Sequence, residues 1–130
     1  TARVAEMAVT VEVCLTSNIK PWRQGAPKSV AEHPVAQMVA AGVTCALSSD
    51  NLVLSGTVER QADSTMELAL LAQETAVGWP GAKAVLLNGA AGAFLPKEQK
   101  AQFMERYAAA LEAAWAEHVT PLLARVRGNV

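Results

Sequence analysis

The stretch Val43-Thr44-Cys45-Ala46-Leu47-Ser48-Ser49-Asp50-Asn51 decides the fold, because a short apolar run passes directly into polar residues. The run follows a glycine, Gly42, and its small and apolar residues predict a buried strand. In parallel α/β folds the active site lies at the C-terminal ends of the strands. Asp50 would therefore stand where a metal ligand or a general base belongs, although an Asp here is also typical of a cap on the next turn or helix.

A second strand is predicted upstream, over residues 8–14, because β-branched residues are frequent there. A loop rich in Pro and Gly follows this strand. The next helix begins near Pro34, which suits a first helical turn, and runs to about Ala41. This order predicts a βαβ unit over residues 9–52 with two parallel strands.

The rest of the chain, residues 57–130, is predicted to be helical. The expected helices cover about residues 57–77 and 80–94, a stretch that begins at Pro96, and residues 122–127. Phe94, Phe103 and Trp115 are expected in the core. A parallel sheet of only two strands leaves both edges open and is unstable in water. Residues 1–130 are therefore expected to form a single partial domain of a larger α/β structure.

The composition excludes some classes of function. Of the 130 residues, 52% are hydrophobic and 18% are charged, which favours a packed core over disorder. The net charge of -1 gives no electrostatic case for binding nucleic acid or an anionic membrane. The apolar runs are short and interrupted by charges, so we expect no membrane span. The start, Thr1-Ala2-Arg3-Val4, has no basic segment followed by an apolar core, so we expect no signal peptide and a cytoplasmic location. Cys14 and Cys45 are expected to be reduced and buried, and their spacing fits no zinc motif.

Several motifs in order resemble the C-terminal part of the adenosine deaminase family. They are Val11-Glu12-Val13-Cys14-Leu15-Thr16-Ser17-Asn18, Glu32-His33-Pro34, Ser48-Ser49-Asp50-Asn51, and Asn88-Gly89-Ala90-Ala91-Gly92-Ala93-Phe94-Leu95-Pro96-Lys97-Glu98-Gln99-Lys100. The resemblance implies a TIM-type (β/α)8 barrel, of which this chain supplies the last two parallel strands, seven and eight, plus the closing helices. It also implies a catalytic Zn²⁺, or another divalent metal, and a purine nucleoside or base as substrate.

The resemblance assigns two site residues in this chain. Asp50 matches the family's metal-binding Asp. Asn51 stands where a second Asp usually contacts N7 of the purine, and an amide donates a hydrogen bond to that nitrogen without first being protonated. No further catalytic group is expected in the chain. The other metal ligands, three histidines, and the proton-transferring Glu would come from an N-terminal barrel half, on a separate chain, a cleaved segment or a region outside this sequence.

The leading hypothesis is therefore the C-terminal segment of a metal-dependent purine deaminase, which hydrolyses a 6-amino group by zinc-activated water and is inactive as an isolated chain. The alternative is a non-catalytic, barrel-derived assembly or binding module. A third possibility is an unrelated small α/β domain in which Asp50 is only a cap. His33 is predicted to be a helix cap or a surface residue rather than a metal ligand, and His118 is predicted to be structural.

Overall fold

A computed structural model describes residues 2–20, 24–50 and 63–128 of the protein. They form two compact units, Thr1–Gly92 and Ala93–Val130, which are described separately below. The elements of the first unit are α1 (Ala2–Glu6), β1 (Thr10–Val13), α2 (Leu15–Asn18), α3 (Val35–Ala40), β2 (Thr44–Leu47), α4 (Ser64–Glu74) and α5 (Gly78–Gly92). Those of the second unit are α6 (Lys97–Ala114), a π-helical segment (Trp115–Val119) and α7 (Thr120–Gly128). None of the helices in these ranges combines the length and apolar composition that a membrane span requires.

The sheet of the first unit consists of β1 and β2, which pair in parallel as the sequence predicts. Thr10 lies opposite Thr44 and Val13 lies opposite Leu47. The pairing extends past β1, because the Ser48 N–H donates to the Val13 carbonyl oxygen over 2.9 Å. The carboxyl ends of both strands therefore meet at one edge of the sheet.

Helix α5 provides most of the cover for this small sheet, α3 also packs against β2, and α4 packs chiefly against α5. Leu71 on α4 and Val85 on α5 are fully buried and belong to the same core cluster as Cys45 on β2. Each such side chain stabilises the fold by about 1.5–3 kcal/mol relative to full exposure. Helix α4 begins at a regular cap, because the Asp63 side chain accepts a hydrogen bond from the Met66 N–H over 2.8 Å.

Two contacts hold the C-terminal half of α5 against the strands. The Asn88 Nδ2 atom donates to the Cys45 carbonyl oxygen over 3.1 Å, which occupies a backbone acceptor of β2. At Gly92 a Cβ atom would lie only 3.0 Å from the Cγ2 of Thr10 on β1. The absence of a side chain at this position is what allows the end of α5 to approach β1 so closely.

Some helix boundaries differ from those predicted. Helix α4 ends at Glu74 rather than near residue 77, since Thr75 has extended backbone angles and its hydroxyl donates to the Leu71 carbonyl oxygen over 2.6 Å. Helix α5 begins at Gly78 rather than at Pro80, and the proline fits within the first turn, where its missing N–H needs no partner. The predicted helical residues 57–62 lie outside the described ranges.

The prediction that Phe94, Phe103 and Trp115 lie in a core is wrong for the second unit. Phe94 is fully exposed, Phe103 is exposed and Trp115 is only half-buried. Phe103 and Tyr107 do contact each other along one face of α6, with ring centroids 5.7 Å apart. However, no residue of α6 is buried among the described residues, so helical spacing alone did not identify core positions here.

Candidate functional site

Asp50 lies just beyond the carboxyl end of β2, on the polar run that the sequence singled out. Its φ angle is +47°, a left-handed conformation that Asp tolerates better than most residues. The Asp50 N–H donates to the Ser48 Oγ over 3.4 Å, and the residue is exposed. The chain turns sharply at this point, so the carboxylate stands at the edge of the sheet where the strands end.

Ser17 links Asp50 to the end of the other strand. It lies on the one-turn helix α2, which begins two residues after β1, and it is 5% exposed. Its hydroxyl donates to the Asp50 Oδ2 over 2.5 Å. A hydrogen bond from a hydroxyl group to an ionised carboxylate is charge-assisted, which makes it stronger than one between neutral groups. The ends of β1 and β2 thus meet in one pair of side chains.

Glu67 lies on α4, is fully buried and binds the two residues that precede Ser17. Its Oε2 accepts the Leu15 N–H over 2.7 Å, and its Oε1 accepts the Thr16 N–H over 3.1 Å together with the Thr16 hydroxyl. These amides begin α2, where a helix has no acceptor of its own, and the Cys14 side chain provides none. All three partners are donors, which is the pattern that a carboxylate requires.

His33 is buried, with 8% of its surface exposed, and caps α3. Its Nδ1 accepts the Val35 N–H over 3.1 Å, so the neutral ring carries its proton on Nε2, which lies 3.1 Å from the Asn18 Oδ1. Burial lowers the pKa of His33. The predicted capping role fits this geometry, whereas the surface position is wrong.

His33 and Asn18 also line a cavity of about 580 Å³ beside β1, which Glu12 and Glu32 share. The lining comes from β1, Asn18, residues 24–27 and the region around the start of α3, and neither Ser17 nor Asp50 belongs to it. The cavity is therefore a neighbour of the candidate site rather than a part of it.

The two cysteines are free thiols, but only Cys45 is buried; Cys14 is half-buried, against the prediction that both are buried. Burial raises the pKa of Cys45. The pKa of Cys14 is also raised, first by burial and further by the carboxylates of Asp50, Glu67 and Glu12, while a hydrogen bond with Ser48 opposes the shift. Neither thiol is therefore activated as a nucleophile.

The structure places the other predicted site residues as follows. Asn51 lies outside the described residues. His118 is exposed on the π-helical segment of the second unit, with its Nε2 3.7 Å from the Glu117 Oε1. Across residues 2–20, 24–50 and 63–128, no three His, Cys, Asp or Glu side chains are grouped so that they could hold a metal ion.

Sequence reasoning missed Glu67 altogether. One signal could have found it. Glu67 is the only acid in the run Met66-Glu67-Leu68-Ala69-Leu70-Leu71, and a helix that is apolar on most of its faces leaves few positions exposed to solvent. A charged residue inside an apolar helix is buried only with compensating partners, so its presence predicts a specific polar role.

Most of this chain is similar in sequence to known proteins. The profile of a family described as adenosine deaminase matches residues 1–110. The chain is 32% identical over 99 residues to an adenosine deaminase of Enterococcus faecalis, matching 76% of this chain and 27% of that protein. It is 32% identical over 104 residues to an aminodeoxyfutalosine deaminase of Streptomyces coelicolor, matching 80% of this chain and 25% of that protein.

The fold is similar to part of one crystal structure, an adenine deaminase from Arthrobacter aurescens. The TM-score is 0.63 at 24% identity, and the match covers 85% of this chain and 31% of that one. The chain therefore spans about a quarter to a third of the length of the proteins that it matches.

Proposed function

Since the chain belongs to the adenosine deaminase family, we propose that it forms the last two strands and the closing helices of a barrel-type hydrolase that removes the 6-amino group of a purine base or nucleoside. One observation carries this proposal: the carboxyl ends of two parallel strands meet at Asp50, and Ser17 binds its carboxylate there. Active sites of parallel α/β barrels are built at this end of the strands.

The chemistry of Asp50 fits a divalent metal. Carboxylate oxygens are among the ligands of Zn²⁺, and a partner that donates a hydrogen bond to a ligating carboxylate fixes its orientation, as Ser17 would here. A bound zinc ion supplies Lewis acidity and lowers the pKa of a coordinated water molecule towards neutrality. The part of this chain that the structure describes offers Asp50 but no group of three ligands, whereas a catalytic zinc site needs about three.

The remaining ligands and the proton-transferring acid would then come from an N-terminal barrel half. Strands β1 and β2 pair with each other, and each would pair along its second edge with a strand of that half. The native mass of the purified protein tests this point, because the chain alone is 13.7 kDa and a completed barrel is several times larger. A stable, well-folded monomer of the lower mass would contradict the assembly.

Three residues of this chain would act at the metal and at the substrate. Asp50 would bind the metal, Ser17 would orient Asp50, and Asn51 would donate its amide hydrogen to N7 of the purine ring. A carboxylic acid at position 51 would have to be protonated to do the same. The relatives differ in the substrates of their names, adenosine and aminodeoxyfutalosine, so the proposal is limited to the 6-aminopurine group.

The decisive experiment replaces Asp50 by Asn in the assembled protein. Asn keeps the size of the side chain, tolerates the left-handed backbone and still accepts a bond from Ser17, but it lacks the negative charge. We expect bound zinc and ammonia release from adenosine and adenine to fall together, by more than the 10–100-fold typical of an outer partner of a metal ligand.

Asp63→Asn is the matched control. Asp63 is exposed at the start of α4, and Asn caps a helix about as well as Asp does, so zinc content and rate should not change. If Asp50→Asn keeps both its zinc and its rate, the assignment of Asp50 is wrong. An assembly that binds no zinc and releases no ammonia would instead support the non-catalytic module.

A further inference from the structure

We propose that Glu67 is a positioning residue for the Asp50 carboxylate, and that it acts through the first turn of α2 and the Ser17 hydroxyl. The inference rests on the proposed function, since its consequence is measured at the metal that Asp50 would bind. The juxtaposition that supports it is a fully buried carboxylate on α4 whose three hydrogen bonds all go to the two residues before Ser17.

The first step concerns how α2 is held in place. This helix has a single turn, Leu15–Asn18, so it contributes little stability of its own. Its first amides need an external acceptor, and Glu67 accepts from both Leu15 and Thr16. The carboxylate reaches these amides from an element more than 50 residues later in the chain, so it fixes α2 against α4.

The second step leads from α2 to the site. Ser17 directly follows Thr16, whose N–H and hydroxyl both bind Glu67, so the backbone of Ser17 is set by that anchor. The Ser17 hydroxyl then reaches the Asp50 Oδ2 over 2.5 Å. A small rotation of the α2 turn would lengthen or bend this bond. The bond would then be weaker, because a hydrogen bond weakens steeply with distance and angle.

The third step explains why the residue is Glu. The Oε2 of Glu67 binds Leu15, and the Oε1 binds Thr16 twice, so both oxygens are needed as acceptors. Gln keeps one oxygen acceptor, and at either position its NH₂ group would face a backbone N–H, of Leu15 or of Thr16, that also donates. Glu67→Gln therefore preserves size while it breaks at least one of the contacts that hold the α2 turn.

The test uses the assembled protein and measures the dissociation constant of Zn²⁺ by competition with a chelator. We expect Glu67→Gln to raise this constant about 10–100-fold, as for other outer partners of metal ligands, and Ser17→Ala to raise it similarly. The double variant should be no weaker than the weaker single variant, because both residues act on Asp50 along one path. Glu74→Gln, at the exposed end of the same helix, is the control and should leave the constant unchanged.

A second readout does not depend on the metal. Amide hydrogen exchange at Leu15 and Thr16 should become faster in Glu67→Gln and stay unchanged in Glu74→Gln. A purely structural role for Glu67 would reduce the fraction of folded protein without changing the zinc dissociation constant of the folded molecules. If Glu67→Gln does not fold, a second variant tests the same contact. Thr16→Val removes only the hydroxyl contact with Glu67 and should weaken zinc binding, whereas Thr16→Ser keeps the hydroxyl group and should bind zinc as tightly as the unsubstituted protein.

The possible outcomes separate the two proposals. If the unsubstituted assembly binds no zinc, the proposed function fails and the inference fails with it. If the assembly binds zinc and Ser17→Ala weakens binding while Glu67→Gln and Thr16→Val do not, only the positioning role of Glu67 is refuted. Unchanged amide exchange at Leu15 and Thr16 in Glu67→Gln would refute the inference as well.

Discussion

Acidification below pH 6.5 should destabilise the first unit through His33. The Nδ1 of this buried ring accepts the Val35 N–H, so a second proton can be added only by breaking that bond. Burial also disfavours the charged ring, and both effects favour the neutral form in the folded state. The pKa of His33 is therefore lower in the folded chain than in the unfolded chain, where it is about 6.5.

The sign and the size of the effect follow from this difference. The stabilising contribution is complete above the unfolded pKa and is lost as the pH falls from there through the folded pKa. One proton changes the free energy of unfolding by at most about 1.4 kcal/mol per pH unit. Between pH 7.5 and 5.5 the loss is at most about 1.4 kcal/mol, a bound reached if the folded ring is still neutral at pH 5.5.

Urea unfolding at pH 7.5, 6.5 and 5.5 measures the effect, with His33→Asn as the matched variant. The Asn Oδ1 can occupy the place of Nδ1 and accept the Val35 N–H, but the side chain does not titrate in this range. In the difference between the free energies of unfolding of the two proteins, the titration of the other groups cancels. This difference should become smaller as the pH falls. Glu12 and Glu32 line the same cavity and attract a charged ring. If the unsubstituted chain instead gains stability relative to His33→Asn on acidification, these carboxylates dominate and the reasoning from burial is refuted.

Two further predictions concern the two cysteines and the contact between α5 and β1. Alkylation at pH 7.5 without reductant should modify both cysteines only slowly in the native chain, because the pKa of both thiols is raised, and Cys45 should react more slowly than Cys14 because it is more buried. The intact mass before and after unfolding measures this labelling. If native Cys45 is labelled as fast as it is in urea, the prediction is wrong. Gly92→Ala should lower the free energy of unfolding by about 1 kcal/mol, because its Cβ would lie 3.0 Å from the Cγ2 of Thr10, whose exposed side chain must shift by a few tenths of an ångström. Thermal unfolding should show partial recovery when Thr10→Ser removes that methyl group. An unchanged or higher melting temperature in Gly92→Ala would show that Thr10 gives way at no cost.

The parallel strand pair was predictable because its signals are local. The first strand is rich in β-branched residues and the second is a short apolar run, each followed by polar residues, and the helix between the strands requires a parallel crossover. Asp50 could be placed at the strand end for the same reason. These features depend on the order and spacing of residues along the chain, which the sequence displays directly.

Glu67 and His33 were harder to predict because their roles depend on contacts between distant segments. Nothing near residue 67 indicates that unsatisfied amides at Leu15 and Thr16 await an acceptor. Likewise, His33 precedes a proline at a helix start, which is typical of an exposed cap, and only the packing of the first unit buries it. Phe94 illustrates the reverse error, since an aromatic residue near a helix end was assigned to a core that does not cover it.

The bonds from Glu67 to α2 also constrain how the chain can fold. They join residues 51 and 52 positions apart, and closing so long a loop has an entropic cost that must be met before the contact contributes stability. Strands β1 and β2 close a shorter loop, since their partners are 34 positions apart, but this lowers the closure cost by only about 0.4 kcal/mol. A two-stranded sheet is not stable on its own, so we expect the strands to pair and α4 to dock together, and Ser17 and Asp50 become fixed only when both are in place. A chain that ended before α4 would leave the Leu15 and Thr16 amides without their acceptor.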